Sequence, residues 1–341
     1  MRWVGPFFTV RGKTLIDLIG GSGFIGTRLA SRLESSSSPF QILDKVPSGR
    51  FPAAYRPVDV RDLESLRSGL NGGPIVNLAA EHRDDVRPVS LYNEVNVQGA
   101  ENICRVASEK GVTKIIFTST VAVYGFAQPG TDETGAIAPF NEYGRSKYEA
   151  EKVFRRWQHE NSAYRSLVIV RPTVVFGEQN RGNVYNLLKQ LASGRFLMVG
   201  KGTNYKSMAY VENTAAFLEH ALSLGPGVAV YNYVDKPDFD MNTLIQTVRS
   251  EMGLVSGHRI RIPYVAGMGI GYLFDLAASV SGRSFPVSSV RVRKFCATTQ
   301  FETTVDRTGF VGPVTLVDGL KKTVRYEFVE NHVSDELFWT E

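Results

Sequence analysis

The first half of the chain alternates short apolar runs with stretches in which apolar residues recur at helical spacing. The apolar runs predict strands at residues 14–19, 40–43, 75–78, 114–118 and 166–170. The stretches between them predict helices at residues 23–33, 63–70, 92–110 and 143–160. Strands that alternate with helices form parallel sheets, because a parallel connection has to cross the sheet. The pattern therefore predicts an α/β fold with a doubly wound parallel sheet.

In the second half of the chain, glycines divide the sequence into shorter pieces. A helix is predicted at residues 211–224 and a strand at residues 228–234. We expect a larger N-terminal domain at residues 1–177, to which residues 205–250 partly return. Residues 178–341 would form most of a smaller, loop-rich C-terminal domain.

The 341 residues carry a net charge of +5, and 43% of them are hydrophobic, as in an ordinary globular protein. The sequence has no block of like charges, which argues against a nucleic-acid partner. The two cysteines, Cys104 and Cys296, fall in a predicted buried helix and a predicted strand. They form neither a metal-binding spacing nor a disulfide framework, which favours a reducing, cytoplasmic compartment and a site without metal.

Residues 264–280 are the stretch that most resembles a membrane span. The stretch contains Asp275 and three glycines, and it is shorter than the roughly 20 residues that a transmembrane helix needs. We expect a buried or surface-associated helix here and no stable membrane span. Residues 1–13 lack the uninterrupted apolar core of a signal peptide and are interpreted as an extension before the first strand.

A glycine-rich segment, Gly20-Gly21-Ser22-Gly23-Phe24-Ile25-Gly26, lies between the first predicted strand and the first predicted helix. Dinucleotide-binding folds hold the pyrophosphate at this point, on backbone N–H groups of the helix N-terminus. Gly20 would allow the tight turn, Gly23 the approach of the pyrophosphate, and Gly26 the packing of helix on strand. The segment therefore predicts a dinucleotide cofactor.

The identity of the dinucleotide depends on Asp44, which ends the second predicted strand 18 residues after Gly26. A carboxylate at this position accepts hydrogen bonds from the adenosine ribose hydroxyls and repels a ribose 2′-phosphate. Asp44 therefore favours NAD over NADP, although the adjacent Lys45 weakens the argument because a cation would pair with that phosphate. A plain turn or helix cap is the alternative interpretation of Asp44.

Tyr143 and Lys147 lie four residues apart and therefore share one face of a predicted helix. A nearby ammonium group stabilises a phenolate and would lower the pKa of Tyr143, as a general base for alcohol oxidation requires. Taken alone, the pair also fits a solvated helix face. Thr120, at the end of a predicted strand, precedes Tyr143 by 23 residues.

These motifs occur in one order together with Asp59-Val60-Arg61-Asp62, Asn77-Leu78-Ala79-Ala80 and Asn96-Val97-Gln98-Gly99. In this order they resemble an extended short-chain dehydrogenase/reductase of the NAD-dependent epimerase/dehydratase family, and in particular the UDP-glucose 4-epimerase group. The resemblance is firm over residues 14–177 and loose beyond them. It implies a Rossmann-type NAD-binding domain followed by a smaller substrate-binding domain.

The resemblance also implies site residues. Those of the cofactor site are Gly20, Gly23, Phe24, Ile25, Gly26, Asp44, Asp59, Val60, Ala79, Ala80, Asn96, Tyr143 and Lys147. Asp59 and Val60 would meet the adenine. Ala79 and Ala80 would flank the nicotinamide side, and Asn96 would support the active-site network from its helix. The implied catalytic set is Thr120, Tyr143 and Lys147, in which Thr120 holds the reacting sugar hydroxyl and Lys147 also holds the nicotinamide ribose.

The substrate side departs from the family pattern. Sugar dehydratases of this family carry an Asp-Glu pair directly after the catalytic threonine, where this chain has Val121 and Ala122. Val174 stands where the epimerases have an asparagine that contacts the substrate, and Lys206 stands where an arginine commonly pairs with the diphosphate. The implied substrate-binding residues are Thr120, Asn183, Lys206 and Arg291.

Two positions near the implied site allow more than one interpretation. Arg291 belongs to a basic cluster with Arg293 and Lys294 in a strand-like stretch, and an exposed charged face is the alternative to diphosphate binding. His82 falls where such folds place pocket residues, but a lone histidine is more often structural, and we assign it no catalytic role.

The resemblance favours NAD-dependent 4-epimerisation of a nucleotide-activated sugar, such as a UDP-hexose or a UDP-N-acetylhexosamine. Tyr143 would remove the C4 hydroxyl proton while hydride passes to NAD, and the keto sugar would turn over and regain hydride on its opposite face. One alternative is an NAD(P)-dependent reductase or dehydrogenase of a nucleotide sugar or a hydroxysteroid-like substrate. Another is a non-catalytic nucleotide-binding subunit. The family also suggests a homodimer formed through the helices at residues 92–110 and 143–160.

Overall fold

The computed structural model describes residues 9–10, 13–83, 86–194, 196–254, 261–282, 288–332 and 336–340. The strands are β1 Thr9–Val10, β2 Lys13–Thr14, β3 Ile16–Ile19, β4 Phe40–Asp44, β5 Tyr55–Pro57, β6 Ile75–Asn77, β7 Lys114–Thr118, β8 Ser166–Pro172, β9 Val174–Phe176, β10 Met198–Val199, β11 Tyr205–Tyr210, β12 Gly227–Tyr233, β13 Asp235–Asp240 and β14 Arg261–Ile262.

The helices are α1 Phe24–Ser35, α2 Leu63–Gly69, α3 Ser90–Tyr92, α4 Gly99–Glu109, α5 Glu142–His159, α6 Asn183–Ala192, α7 Val211–Ala221, α8 Met241–Glu251, α9 Tyr264–Ser281, α10 Ser289–Cys296 and α11 Leu316–Phe328. A π-helical turn, Asn93–Gln98, joins α3 to α4, and 3-10 turns occupy Val121–Tyr124 and Val305–Thr308.

Seven parallel strands form the central sheet in the order β12-β8-β7-β6-β3-β4-β5. Successive side chains of a strand face opposite sides of a sheet, so Ile115 and Phe117 pack with α4 and α5 while Ile116 packs with α1 and α7. Both faces of the sheet are therefore covered by helices. The predicted doubly wound, Rossmann-type fold is confirmed.

The chain order of the strands reverses beside β3, because β4 lies on one side of it and β6 on the other. The loops after the two flanking strands then diverge and leave a crevice at the carboxyl ends of the sheet, where such folds bind ligands. A second sheet of three strands, β13-β11-β9, lies beyond this edge. Helices α6, α8 and α11 pack around it in a separate apolar cluster.

Two elements after the first half of the chain return to the central sheet. Strand β12 pairs in parallel with β8 at the edge of the sheet, and α7 packs beside α1. The division into domains at residue 177 stays a prediction.

The structure corrects three expectations. The predicted helix at 92–110 is interrupted by the π-helical turn, and the edge strand β5, which contains a proline, was not predicted. The strand-like stretch that contains Arg291, Arg293 and Lys294 is helix α10, and Cys296, also expected in a strand, ends this helix. The Ser288 hydroxyl caps α10 by accepting the backbone N–H of Arg291, and packing against α9 buries Val292 while Val290 stays exposed. Val290 and Val292 are two residues apart and would share one face of a strand. Only Val292 is buried, as expected when the two side chains lie on different sides of a helix.

No helix within the described ranges has the length and apolar character needed to cross a membrane.

Candidate active site

A cavity of about 650 Å³ opens at the carboxyl ends of the central strands. It lies where the strand order reverses, between the central sheet and the C-terminal elements. Its lining includes almost every residue that the sequence placed in the cofactor and catalytic sites: Gly20, Gly23, Phe24, Ile25, Gly26, Asp44, Asp59, Val60, Ala79, Ala80, Thr120, Tyr143 and Lys147. Residues from six separate segments of the chain therefore meet in one place.

The glycine loop between β3 and α1 follows the predicted geometry at two of its glycines. Gly20 has a positive φ of 75°, and a Cβ there would lie 2.5 Å from the backbone nitrogen of Ala79. A Cβ on Gly26 would lie 2.5 Å from the carbonyl oxygen of Gly21, so glycine lets α1 pack onto the preceding loop. A Cβ on Gly23 would make only an ordinary contact, 3.5 Å from Gly20. The fold does not need glycine at 23, which fits a backbone left open for a pyrophosphate.

Asp44 stands at the end of β4 beside this loop. Its carboxylate accepts backbone hydrogen bonds from Ser22 at 3.1 Å and from Val46 at 3.0 Å. Burial raises the pKa of Asp44, and these hydrogen bonds act in the opposite direction. The side chain thus ties the glycine loop to β4 and lines the cavity with a carboxylate, as the predicted ribose contact requires.

The three implied catalytic residues come from two adjacent elements. Thr120 follows β7, is buried, and accepts the backbone N–H of Ala122 at 3.1 Å through its hydroxyl oxygen. Tyr143 and Lys147 lie in the first two turns of α5, which is capped by the Asn141 side chain on the backbone N–H of Gly144. All three line the same cavity.

Lys147 is almost completely buried, with 1% of its surface exposed. Its ammonium group lies 4.3 Å from the ring centre of Phe117, over the aromatic face. Burial lowers the pKa of Lys147 to about 7, and the negative charge of Glu151 acts in the opposite direction. A lysine with this pKa exchanges protons readily near neutrality, which suits a group beside an acid/base tyrosine.

Asn96 lies in the π-helical turn and does not line the cavity. Its amide oxygen accepts the backbone N–H of Glu81 at 2.8 Å, and its amide nitrogen donates to the Glu81 carbonyl and to the Ser146 hydroxyl. Ser146 precedes Lys147 and donates to the carbonyl oxygen of Tyr143. Asn96 therefore joins the loop after β6 to the first turns of α5, and its role in the cofactor site stays a prediction.

The cavity fits NAD on two observations. First, the glycine loop, Asp44 and the catalytic residues line one continuous space, with room for a pyrophosphate at Gly23. Second, two buried polar atoms that line or adjoin it, Oγ1 of Thr118 and Nε2 of His82, have no hydrogen-bond partner among the described residues. Buried polar atoms are normally paired, so these two are available to a bound molecule.

Comparison with known proteins identifies the family. Residues 16–232 match the family described as NAD dependent epimerase/dehydratase. The chain belongs to this family. An Escherichia coli O157:H7 protein named N-acetyl-alpha-D-glucosaminyl-diphospho-ditrans,octacis-undecaprenol 4-epimerase is 51% identical over 331 residues, which are 95% of this chain and 98% of the relative.

Solved structures show the same fold at lower identity. UDP-glucose 4-epimerase of Thermotoga maritima, solved with UDP-glucose, has a TM-score of 0.71 and 21% identity over 92% of this chain and 98% of that one. UDP-glucuronic acid 4-epimerase from Bacillus cereus, in complex with NAD, has a TM-score of 0.70 and 18% identity over the same shares. The predicted family, the epimerase class and the NAD cofactor are confirmed, and the roles of individual residues stay predictions.

Of the four implied substrate-binding residues of this epimerase/dehydratase site, two line the cavity and two do not. Asn183, at the start of α6, lines the cavity together with Thr120. Lys206 does not line it, because its ammonium group donates to the carbonyl oxygens of Lys294 at 2.9 Å and Ala297 at 2.7 Å. Burial lowers the pKa of Lys206 to about 8. Arg291 lies exposed on α10, also away from the lining.

Sequence reasoning missed a buried network behind the catalytic residues. Glu151, one turn after Lys147 in α5, forms hydrogen bonds of 2.8 and 2.6 Å with Arg171 of β8. It also accepts a 2.6 Å hydrogen bond from Ser119, the neighbour of Thr120. Arg171 donates in turn to the Tyr124 hydroxyl at 2.7 Å. The sequence shows that Glu151 follows Lys147 by four residues and so shares its helix face. It does not show that the partner of Glu151 is Arg171, which lies in a distant strand.

Proposed function

We propose that this protein epimerises C4 of an N-acetylhexosamine that is carried on a polyprenyl diphosphate. The observation that carries the reaction type is the meeting of Thr120, Tyr143 and Lys147 in one cavity, with Val121 and Ala122 beside them. Eliminating water from a sugar needs acid and base groups at a neighbouring carbon, and these two apolar side chains offer none. Epimerisation needs a proton moved at one oxygen only, which the three residues provide.

In this proposal Tyr143 takes the proton of the C4 hydroxyl and later returns it to the same oxygen. Thr120 holds that oxygen, and Lys147 stabilises the phenolate from its buried position in the next turn of α5. NAD, when bound, supplies the hydride acceptor for the first half of the reaction and the hydride donor for the second. The oxidised sugar would have to stay bound in this cavity while it turns over and presents its opposite face to the cofactor.

The polyprenyl carrier is supported by the 51% identical relative, whose name specifies a diphospho-undecaprenol substrate. Two contacts that the family makes to a nucleotide sugar are also missing here, and a carrier other than a nucleotide would not need them. Val174 replaces the expected asparagine, and Lys206 is held by backbone carbonyls. A UDP-linked sugar, which shares the sugar diphosphate, is the alternative carrier and is supported by the UDP-sugar epimerases of the same fold.

The proposal is tested by incubating the purified protein, without added cofactor, with two substrates in separate reactions. These are N-acetylglucosaminyl diphospho-undecaprenol in detergent micelles and UDP-N-acetylglucosamine, with sugar configuration determined by NMR. We expect the C4 epimer, the N-acetylgalactosaminyl compound, from the lipid-linked sugar. Conversion of the UDP-sugar alone would reject the polyprenyl carrier, and conversion of neither sugar would reject the proposed function.

We further infer that the protein is a cytoplasmic homodimer formed through α4 and α5. The dimer rests on the family resemblance. The location is supported by the two free cysteines, Cys104 and Cys296, which form no disulfide. Light scattering of the purified protein measures the mass, and a substitution to aspartate on an exposed face of α5 should halve it.

A further inference from the structure

Helix α9, Tyr264–Ser281, has an unusual surface for a helix in water. Asp275 is its only charged residue, and this carboxylate faces the backbone N–H of Ser289 at 3.2 Å, at the start of α10. The exposed apolar side chains of α9, with 40 to 81% of their surface accessible, are Tyr264, Val265, Ile270, Tyr272, Leu273 and Leu276. A helix that faces water normally carries charged residues on that side.

The opposite face of α9 holds it against the protein. A Cβ on Gly267 would lie 2.5 Å from a side-chain carbon of Val199. One on Gly271 would lie 2.7 Å from Cα of Ser289. Met268, between these two glycines in the sequence, is also buried. The small residues therefore let α9 pack closely on β10 and α10, and the large apolar side chains are left pointing outward.

Helix α10, packed against α9, supplies positive charge beside this apolar face. Its residues Arg291, Arg293 and Lys294 are exposed. In the sequence, residues 276–301 contain four cationic residues and no acidic one. An apolar helix face bordered by lysine and arginine is the pattern of helices that lie in the interface of anionic bilayers.

The α9–α10 surface adjoins the active-site cavity. The Lys294 ammonium group lies 5.1 Å from the ring centre of Phe140, three residues before Tyr143. Phe140 stacks on Phe126 at 4.8 Å, and both rings are exposed, at 48 and 77%. Just after α10, Thr299 lines the cavity. The mouth of the cavity is thus continuous with the basic and aromatic side of this surface.

We propose that α9 and α10 dock on a bilayer that contains anionic phospholipid, with α9 lying in the interface plane and α10 facing the headgroups. The inference rests on the proposed function, because a polyprenyl carrier lies in a bilayer and presents its diphosphate sugar at the surface. A second copy of the chain is the alternative binding partner for this surface. A twofold contact through this face would bring the exposed cations of two α10 helices close together, and this like-charge repulsion disfavours it.

The test is flotation of the full-length protein with substrate-free vesicles of phosphatidylcholine, with and without phosphatidylglycerol. We expect binding to the vesicles with phosphatidylglycerol and weaker binding as salt is raised. The variant Leu273→Asp/Leu276→Asp should lower the partition coefficient by about tenfold or more, because two exposed leucines no longer enter the interface. Val311→Asp, at another apolar position with 84% exposure, is the matched control and should bind like the wild type.

Vesicle binding that is absent in the wild type, or unchanged in the double leucine variant, would overturn the proposal. A mass in solution that falls by half in this variant, without vesicle binding by the wild type, would show that the face is a dimer contact. Turnover of the micellar lipid-linked sugar is measured separately. Intact turnover without flotation rejects only the docking surface, and flotation without turnover rejects only the proposed function.

Discussion

The Glu151 carboxylate and the Arg171 guanidinium form a two-pronged ion pair between α5 and β8, with hydrogen bonds of 2.8 and 2.6 Å. Both side chains are buried, at 0 and 4% exposure. The pair joins the helix that carries Tyr143 and Lys147 to the central sheet, and through Ser119 it reaches the segment after β7 that carries Thr120. The proposed catalytic residues are therefore held in place by a contact between side chains that do not line the cavity.

Breaking this pair should destabilise the protein strongly. We expect Arg171→Met to lower the free energy of unfolding by about 3–5 kcal/mol, because it leaves the Glu151 charge buried without its partner. Urea unfolding measures the change. Lys152→Met, which removes an exposed ion pair with Glu149 on the same helix, is the control and should cost less than about 1 kcal/mol. Equal losses in the two variants would contradict the importance of the buried pair.

Tyr143→Phe should abolish turnover while NAD stays bound. The ring still packs in α5, but the hydroxyl that moves the proton is gone, so kcat should fall by about a hundredfold to ten-thousandfold. Turnover is followed by NMR of the sugar, and bound NAD is measured after denaturing the protein. A variant that keeps more than a small fraction of the activity would rule out the proposed role of Tyr143.

Asp44→Ala should weaken NAD binding by about tenfold or more and narrow the preference for NAD over NADP. The carboxylate accepts hydrogen bonds from the ribose and repels a 2′-phosphate, and the variant loses both effects. Titration of both cofactors against both proteins measures the change. If the ratio of the two dissociation constants stays the same, Asp44 does not select the cofactor.

Lys147→Met should change the pH dependence of stability. Burial lowers the pKa of Lys147 to about 7 from an ordinary value of 10.5. Between these two pH values the unfolded chain binds more protons than the folded one, so this lysine makes stability increase with pH. The variant should show a shallower increase over that window and a gain in stability near pH 7. Urea midpoints at a series of pH values test this, and parallel profiles would refute it.

The fate of the hydrogen at C4 separates epimerisation from net reduction. If hydride leaves and returns within one site, substrate deuterated at C4 should give product that still carries deuterium at C4. A reductase would instead transfer deuterium into the product from labelled added cofactor. Because Val121 and Ala122 offer no acid or base, the C5 proton should not exchange in heavy water. Mass spectrometry measures both labels, and incorporation at C5 would show dehydratase-like chemistry.

The sequence by itself determined the α/β fold, most of the main strands and helices, and the residues that meet in the cavity. It did so because apolar periodicity is local and because the glycine loop, Asp44 and Thr120 lie at the ends of strands that must meet at one edge of a doubly wound sheet. The strand predicted at 114–118 matches β7 residue for residue. Carboxyl ends of parallel strands share one edge, so order along the chain is enough to predict their convergence.

Only the tertiary structure decided the features that depend on which elements pack together. The partner of Glu151 lies 20 residues away in strand β8. Lys206 is held by a helix end that is 88 and 91 residues further along the chain. The alternating sequence of α10 became a helix because it packs on α9. The outward apolar face of α9 likewise follows from glycines that direct its other side to the protein. Such contacts between distant segments leave no periodic signal, because each depends on a partner that the local sequence does not specify.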